Sequence, residues 1–408
     1  MTDKIRLALV GCGGMAGAHL NGYRDLRDKG IDFFEIVCVC DPALDRAEAF
    51  AKRIAEFQPD REVTLHASLD EMLEKEELHC VDTSSPHHLH HVIACACLEA
   101  GVDVMVEKPL GVTVRAARKM IETAERTGQI LAVAEQVRRW IGPRVVQWAV
   151  TNEEMSGRPR MFFAQSSRGP QDLPVEADVK NKVWRHEKLK GGGGSVIDGA
   201  VHYADFLIYC YGEPDTVSAT CGNLNRSYTL DEDGERQPMD WPDTVISFIR
   251  FKSGISGTWT WTGAAPGKAI SFTNHHGDLG SVYAEGNYPM KPEFHQRDKT
   301  CIPYEELLEQ YLSSLSSDDL ARLFPPELYP EPRELGGDHG VPLEAYDFLC
   351  AVRDRRRPEL DGMDGLVAQS LSEACLESSE LGRSVSYDEV LAGEVRAYQQ
   401  EIDDAYGL

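Results

Sequence analysis

Between residues 5 and 136, short apolar runs alternate with amphipathic stretches. The runs are IRLALV, FEIVCVCD, VTLHAS, LHCVDTSS, VDVMVEKP and QILAVAEQ, and between them lie segments of helical period such as DRAEAFAKRIAEF and HLHHVIACACLEAG. Near-continuous apolar strands separated by helices predict an α/β domain built on a doubly wound parallel sheet. The pattern changes from 213 to 286. There, β-branched and aromatic residues flank a Ser-Gly turn, as in DTVISFIRFKSGISGTWTWTG, which predicts an antiparallel sheet. Residues 289–340 are rich in proline and acids and read as an insertion or lid. Helical periodicity returns at 342–357, 364–382 and 387–406. The expected division is a first domain over 1–140 and an α+β second domain over 141–408, closed by the helices of 342–406.

Composition narrows the function. The chain has 408 residues, 42% hydrophobic and 27% charged, enough for two domains with a sizeable core. Lys and Arg number 42 against 67 Asp and Glu, a net charge of −25, which excludes a broad nucleic-acid or anionic-membrane surface. No run reaches membrane-spanning length, and MTDKIRLALV lacks a signal-peptide pattern. The eleven cysteines show neither CxxC nor metal-like spacing; Cys38 and Cys40 alternate with valine as buried strand thiols would. The expectation is a reducing cytoplasm, no disulfides and no metal.

The first chemical signal is LALVGCGGMAGAHL. A strand ends, Gly11 permits a tight turn, Gly13 lets a pyrophosphate approach the backbone, and Ala16 lets the next helix pack closely. Gly11, Cys12, Gly13, Gly14, Met15 and Ala16 would thus form a dinucleotide cradle at a helix N-terminus. The second strand ends in Asp41, 25 residues after Ala16. Its carboxylate can accept from the ribose hydroxyls of NAD and repel the extra phosphate of NADP, or cap the helix of PALDRAEAF. Arg46 softens that exclusion, so NADP is the lesser expectation.

Three motifs in order resemble the Gfo/Idh/MocA family of sugar and inositol dehydrogenases. VEKPLG at 106–111 is similar to the family's Glu-Lys-Pro signature. SSPHHLHHVIACACLEAGVDVMVEKP is similar to the segment before it, with His90 in the place of the family histidine. GGGGSVIDGAVHYAD is similar to the Gly-Gly…Asp…His…Asp segment opening the second domain. The resemblance runs through 5–290 and resumes in the closing helices, but 289–340 departs from it. It implies an N-terminal Rossmann domain, an α+β domain with a large open antiparallel sheet that often carries oligomer contacts, and an active site at the nicotinamide between the domains.

The implied chemistry removes hydride and proton from a secondary alcohol. Lys108 matches the family's base, and a positive nicotinamide beside it would lower its pKa. Glu107 reads as a cofactor or domain-interface contact. Asp198 and His202, four apart, are expected on one face of a helix, Asp198 holding a substrate hydroxyl and His202 bonding or relaying for the reacting oxygen. Asp205 reads as structural. Ser84, Ser85, His90 and Gln136 complete the expected cofactor contacts. Arg139 is a substrate or domain-interface candidate. Trp184 and Arg185 either wall the sugar or belong to the core, and Asp338 and His339 of GGDHG either touch substrate or form a plain loop. The histidines of HHLHH, 87, 88, 90 and 91, point different ways and read as a solvated helix start. The overall expectation is a cytoplasmic homo-oligomer, a dimer or tetramer, that oxidises a cyclic polyol, sugar or glycoside with NAD. Two alternatives stand beside it: an enzyme that cleaves or epimerises glycosides with a retained, recycled NAD, and a ligand sensor without catalysis.

Overall fold

The computed structural model describes residues 4–176, 183–239, 241–286, 288, 290–335 and 339–408. They form two compact units, Met1–Gln136 with Phe324–Leu366, and Val137–Leu323 with Val367–Leu408.

The first unit holds six parallel strands: β1 Ile5–Val10, β2 Phe34–Cys40, β3 Thr64–His66, β4 Cys80–Thr83, β5 Asp103–Glu107 and β6 Leu131–Ala134. Their order, β3-β2-β1-β4-β5-β6, reverses direction after β1, the switch point at which doubly wound sheets bind ligands. The strands are buried almost throughout, as their unbroken apolar runs require. Helices Gly14–Asp28, Leu44–Ala55, Leu69–Lys75, His87–Glu99 and Val114–Thr127 connect them. The helix Gly340–Asp354 also belongs here. It packs along the Gly14–Asp28 helix, and its Leu343, Phe348 and Leu349 share one core with Leu7, Leu20 and Phe34. The division expected at 140 therefore gives way to a discontinuous unit, because the sheet needs an apolar helix that the first 136 residues do not supply.

The second unit carries a nine-stranded sheet. Its strands are β7 Pro159–Ser167, β8 Pro214–Gly222, β11 Thr244–Phe251, β12 Ser256–Thr262, β13 Ile270–Gly277, β14 Gly280–Glu285, β15 Glu293–Gln296, β16 Cys301–Ile302 and β17 Val385–Ser386; β9 Tyr228–Leu230 and β10 Arg236–Pro238 form a separate ribbon. The order is β16-β15-β14-β13-β7-β12-β11-β8-β17, antiparallel except where β7 runs parallel to β12. β7 lies between β12 and β13, whose connection therefore crosses it. One face is buried by the helices Ile141–Thr151, Val201–Tyr211 and Gly362–Leu381, with Phe162, Trp259 and Val245 pointing inward.

Two further expectations change. Within 289–340, the described residues of the expected lid extend the sheet by β15 and β16 and then form helices Tyr304–Ser314 and Ser317–Leu323. YEELLEQYLSS is amphipathic and buries Leu307, Leu308, Tyr311 and Leu312, which a solvated flap would not. The helix expected over 387–406 divides into Tyr387–Leu391 and Gln400–Tyr406, with Gly393 at a positive φ of 74° between them.

Candidate active site

In the first unit, β1 ends at Val10 and the chain turns sharply at Gly11, whose φ is +88°. A Cβ there would lie 3.1 Å from the Ser84 carbonyl oxygen and 3.2 Å from the Ser85 nitrogen, so the loop is pressed against the end of β4. Gly13 and Gly14 face the other way: they are exposed, and a Cβ on either meets nothing within 4 Å. The helix from Gly14 has no side-chain cap, so its first N–H groups are open to an anion. Met15 is half-buried and Ala16 buried. This open cradle fits a pyrophosphate.

Asp41 supports the loop directly. Its Oδ2 accepts the Cys12 N–H at 2.8 Å and its Oδ1 the Ala43 N–H at 2.8 Å. The carboxylate thus ties the glycine loop to the turn after β2. Burial and the Asp41 charge push the Cys12 thiol up to about 12, so it stays neutral.

The Glu-Lys-Pro corner follows β5. Lys108 Nζ is 3.9 Å from Glu107 Oε1, and both side chains are about nine-tenths buried. His90 braces the corner, its two ring nitrogens each 2.9 Å from a backbone carbonyl, that of Pro109 and that of Ser85. Burial pushes its basicity down to about 4. The neutral ring carries a single N–H and so donates to one of these carbonyls only, and His90 packs fully buried between the segments that follow β4 and β5. The solvated reading of HHLHH fails: His87, His90 and His91 are buried, because the His87–Glu99 helix packs on the Val114–Thr127 helix and on β5. Gln136, after β6, has a buried Oε1 with no hydrogen-bond partner among the described residues, a place for a ligand amide. His339 is buried against Tyr329 in this unit, and Asp338 lies outside the described residues.

In the second unit, the expected single helix carrying Asp198 and His202 is two. One spans Gly194–Asp198 and the next Val201–Tyr211. The Gly199 and Ala200 N–H groups both donate to the Ser195 carbonyl, at 3.1 and 3.0 Å, which closes the first helix before His202. Asp198 accepts from Arg185 Nε at 2.9 Å, and the Arg185 guanidinium lies 4.2 Å from the Trp184 ring centre. Trp184, Arg185 and Asp198 therefore form one connected, partly exposed patch. His202 is buried with its ring edge-on to Tyr288, which also meets Trp140. Asp205 takes a two-pronged ion pair from Arg138, with Nε at 2.8 Å, and is structural in geometry. Arg139, expected as a substrate or domain-interface contact, is buried.

Two models describe most of the chain: an oxidoreductase family with an NAD-binding Rossmann fold matches 5–135, and the GFO/IDH/MocA C-terminal domain matches 149–283. D-apiose dehydrogenase of Paraburkholderia graminis is 34% identical over 391 residues, covering 94% of this chain and 89% of that protein. The chain belongs to the Gfo/Idh/MocA family. It is therefore an oxidoreductase with an NAD-binding Rossmann domain. Levoglucosan dehydrogenase of Pseudarthrobacter phenanthrenivorans is 26% identical over 76% of this chain and 80% of that one. A solved levoglucosan dehydrogenase in complex with NADH and levoglucosan shares the fold, with a TM-score of 0.76 and 22% identity over 94% of this chain and all of that one.

Against that family background, sequence reasoning missed two aromatic groups of the second unit. His186 stacks on Trp241 at 5.1 Å, and Tyr288 bridges His202 and Trp140. The one available signal was Trp241 in DWPD, a large ring beside two acids and a proline. Missed too were two mixed clusters, Cys38–His66–Glu76 and Glu293–His295–Cys301, whose ligand atoms lie within 4.8 Å of one another. In the first, Arg6 is 3.8 Å from Glu76 and His66 Nε2 is 3.0 Å from it, so the acid already has cationic and hydrogen-bonding company.

The glycines of GGGG form a packed floor. Gly194 has φ +56°, and a Cβ there would lie 2.5 Å from a Trp241 ring carbon and 2.8 Å from the Pro242 carbonyl oxygen. Gly194→Ala is expected to cost about 1–3 kcal/mol in overpacking beyond the backbone strain. Gly128→Ala, at φ +72° in the ordinary left-handed region with nothing within 4 Å, carries the strain alone. Thermal unfolding of both should show the larger drop at 194; equal drops would mean the Trp241 contact is absent.

Proposed function

We propose that this oxidoreductase transfers hydride between NAD and a secondary hydroxyl of a sugar, cyclic polyol or glycoside. The carrying observation is Lys108 in the buried Glu-Lys-Pro corner of a unit whose glycine cradle fits a dinucleotide. The family's sugar dehydrogenases support the substrate class. Bound nicotinamide supplies the hydride acceptor. Lys108 takes the hydroxyl proton as the carbon becomes a ketone, and His202 bonds or relays for the same oxygen. Asp198, partly exposed and held by Arg185, orients a neighbouring hydroxyl, and the Trp184 face packs against ring C–H groups. The Gln136 amide suits the nicotinamide carboxamide.

Lys108→Ala should lower kcat roughly 10²–10⁴-fold, the usual reach of acid–base catalysis, with NADH affinity little changed. Near-normal turnover would remove Lys108 from the chemistry. Incubation with sugars should accumulate one reduced cofactor per product. Many turnovers on a cleaved glycoside with no net reduction would promote the recycled-cofactor alternative, which loses one support now that residues 293–323 extend the large sheet and form helices of the second unit.

The cofactor preference rests on Asp41, buried beside the cradle, with Arg46 exposed five residues further on. Since Asp41 also holds the Cys12 N–H, Asp41→Ala should weaken both cofactors, but NAD more than NADP. The ratio of the two dissociation constants is the readout, and a wild type that already favours NADP would refute the assignment.

We also read the chain as a homo-oligomer joined through the open face of its large sheet. No helix among the described residues is long and apolar enough to cross a membrane, and the free thiols suit a reducing cytoplasm. Met161, Phe163, Ile246, Phe248 and Ile270 are between 41% and 54% exposed. Phe163 and Phe248 both pair with Thr258, so they share one face, and a monomer rarely exposes such a patch. Phe163→Glu with Phe248→Lys should yield a monomer by light scattering; an unchanged mass would move the interface elsewhere.

A further inference from the structure

Resting on the reading of Lys108 as the proton acceptor, we infer that His19 is a positioning residue for that step, its imidazolium offsetting the charge that Asp82, Glu107 and Glu344 exert toward the lysine. His19 lies on the first helix, on the face turned to the sheet. Its Nδ1 is 2.9 Å from both Asp82 oxygens at the end of β4. Its Nε2 faces Glu107 Oε2 at 3.5 Å, at the end of β5, and Glu344 Oε1 at 3.8 Å, on the Gly340–Asp354 helix. Glu107 reaches Lys108 through its other oxygen, Oε1, at 3.9 Å. The chain of charges therefore runs without a gap from the first helix to the lysine.

Neutral groups also meet the Asp82 end of the ring. Tyr23 donates its hydroxyl to Asp82 Oδ2 at 2.9 Å, and the Ser84 hydroxyl is 3.5 Å from Nδ1. Tyr23 and the nearby Cys80 are pushed up by burial and stay neutral. His19, Asp82, Glu107 and Glu344 are each at most 6% exposed. Three carboxylates in so dry a space call for a cation within contact, since water cannot screen them. Burial opposes charge on the ring, but Asp82, then Glu107 and Glu344, outweigh it and hold His19 well above its ordinary value, so it is an imidazolium at neutral pH.

The consequence falls on the base. A lysine accepts a proton only when it has none to lose, and each uncompensated negative charge nearby favours its protonated form. His19 removes one such charge; Glu344 adds one.

The test is the pH dependence of kcat/KM in the full chain with NAD and whichever sugar it oxidises, for His19→Gln and Glu344→Gln, with NADH affinity as a check on the fold. His19→Gln should move the acidic limb upward by about half to one unit, with kcat recovering above it, and Glu344→Gln should move it downward. A loosened corner would lower kcat in both without opposite shifts. With both variants folded, any pattern other than opposite shifts of these signs overturns the inference. If His19→Gln does not fold, the smaller neutral variant His19→Asn decides: an upward shift supports the role, and an unmoved or lowered limb refutes it. Failure of the underlying reading looks different, because there Lys108→Ala keeps its turnover.

Discussion

A parallel sheet is apolar on both faces and cannot stand until helices cover both. That requirement governs this chain. The first 136 residues build six strands but leave room for one more helix against β1 and β6, and the chain fills it with Gly340–Asp354. One result is chemical. The returning helix brings Glu344 to the switch-point end of the sheet, where β4 and β5 deliver Asp82 and Glu107 and the first helix delivers His19. Residues more than 300 apart in sequence thus make one electrostatic group beside Lys108, and the covering of a hydrophobic surface decides the surroundings of that lysine.

The second unit separates its acids by how tightly each is held. Asp205 is buried and gripped by two nitrogens of Arg138, so its lone pairs are spent on the fold. Asp198 also pairs with Arg185, but its side chain is 28% exposed where that of Asp205 is 3%. Burial, not residue type, separates the two acids.

The sequence made the Rossmann half legible because each of its signals is local. An apolar run, a glycine turn and a following helix are set by neighbours in the chain, and the Glu-Lys-Pro corner carries its own signature. What stayed hidden depended on distant partners. Periodicity marks an apolar face on residues 342–357 but does not say which sheet it covers. The spacing of Asp198 and His202 suits one helix, yet Gly199 lets the first helix close on Ser195 instead. The histidines of His87–His91 look polar until the neighbouring helix buries them. The place of β7 between β12 and β13 depends on strands more than ninety residues further on. His186 meets Trp241, and His202 meets Tyr288, only through the tertiary fold.

The two borders of the large sheet behave unlike its broad face. β16 and β17 are each two residues long, and they are where the ladder stops. An exposed border strand is a template onto which a foreign strand can add, and shortness is among the ways natural sheets blunt it. β17 pairs only with Thr216 and Val217 of the nine-residue β8, and beyond it the Ala219 and Cys221 N–H groups donate to the Ser378 and Ser379 hydroxyls. Short border strands, and hydroxyls set against the rest of the ladder, leave a foreign strand little bare backbone on which to begin the strand-by-strand growth that leads to fibrils.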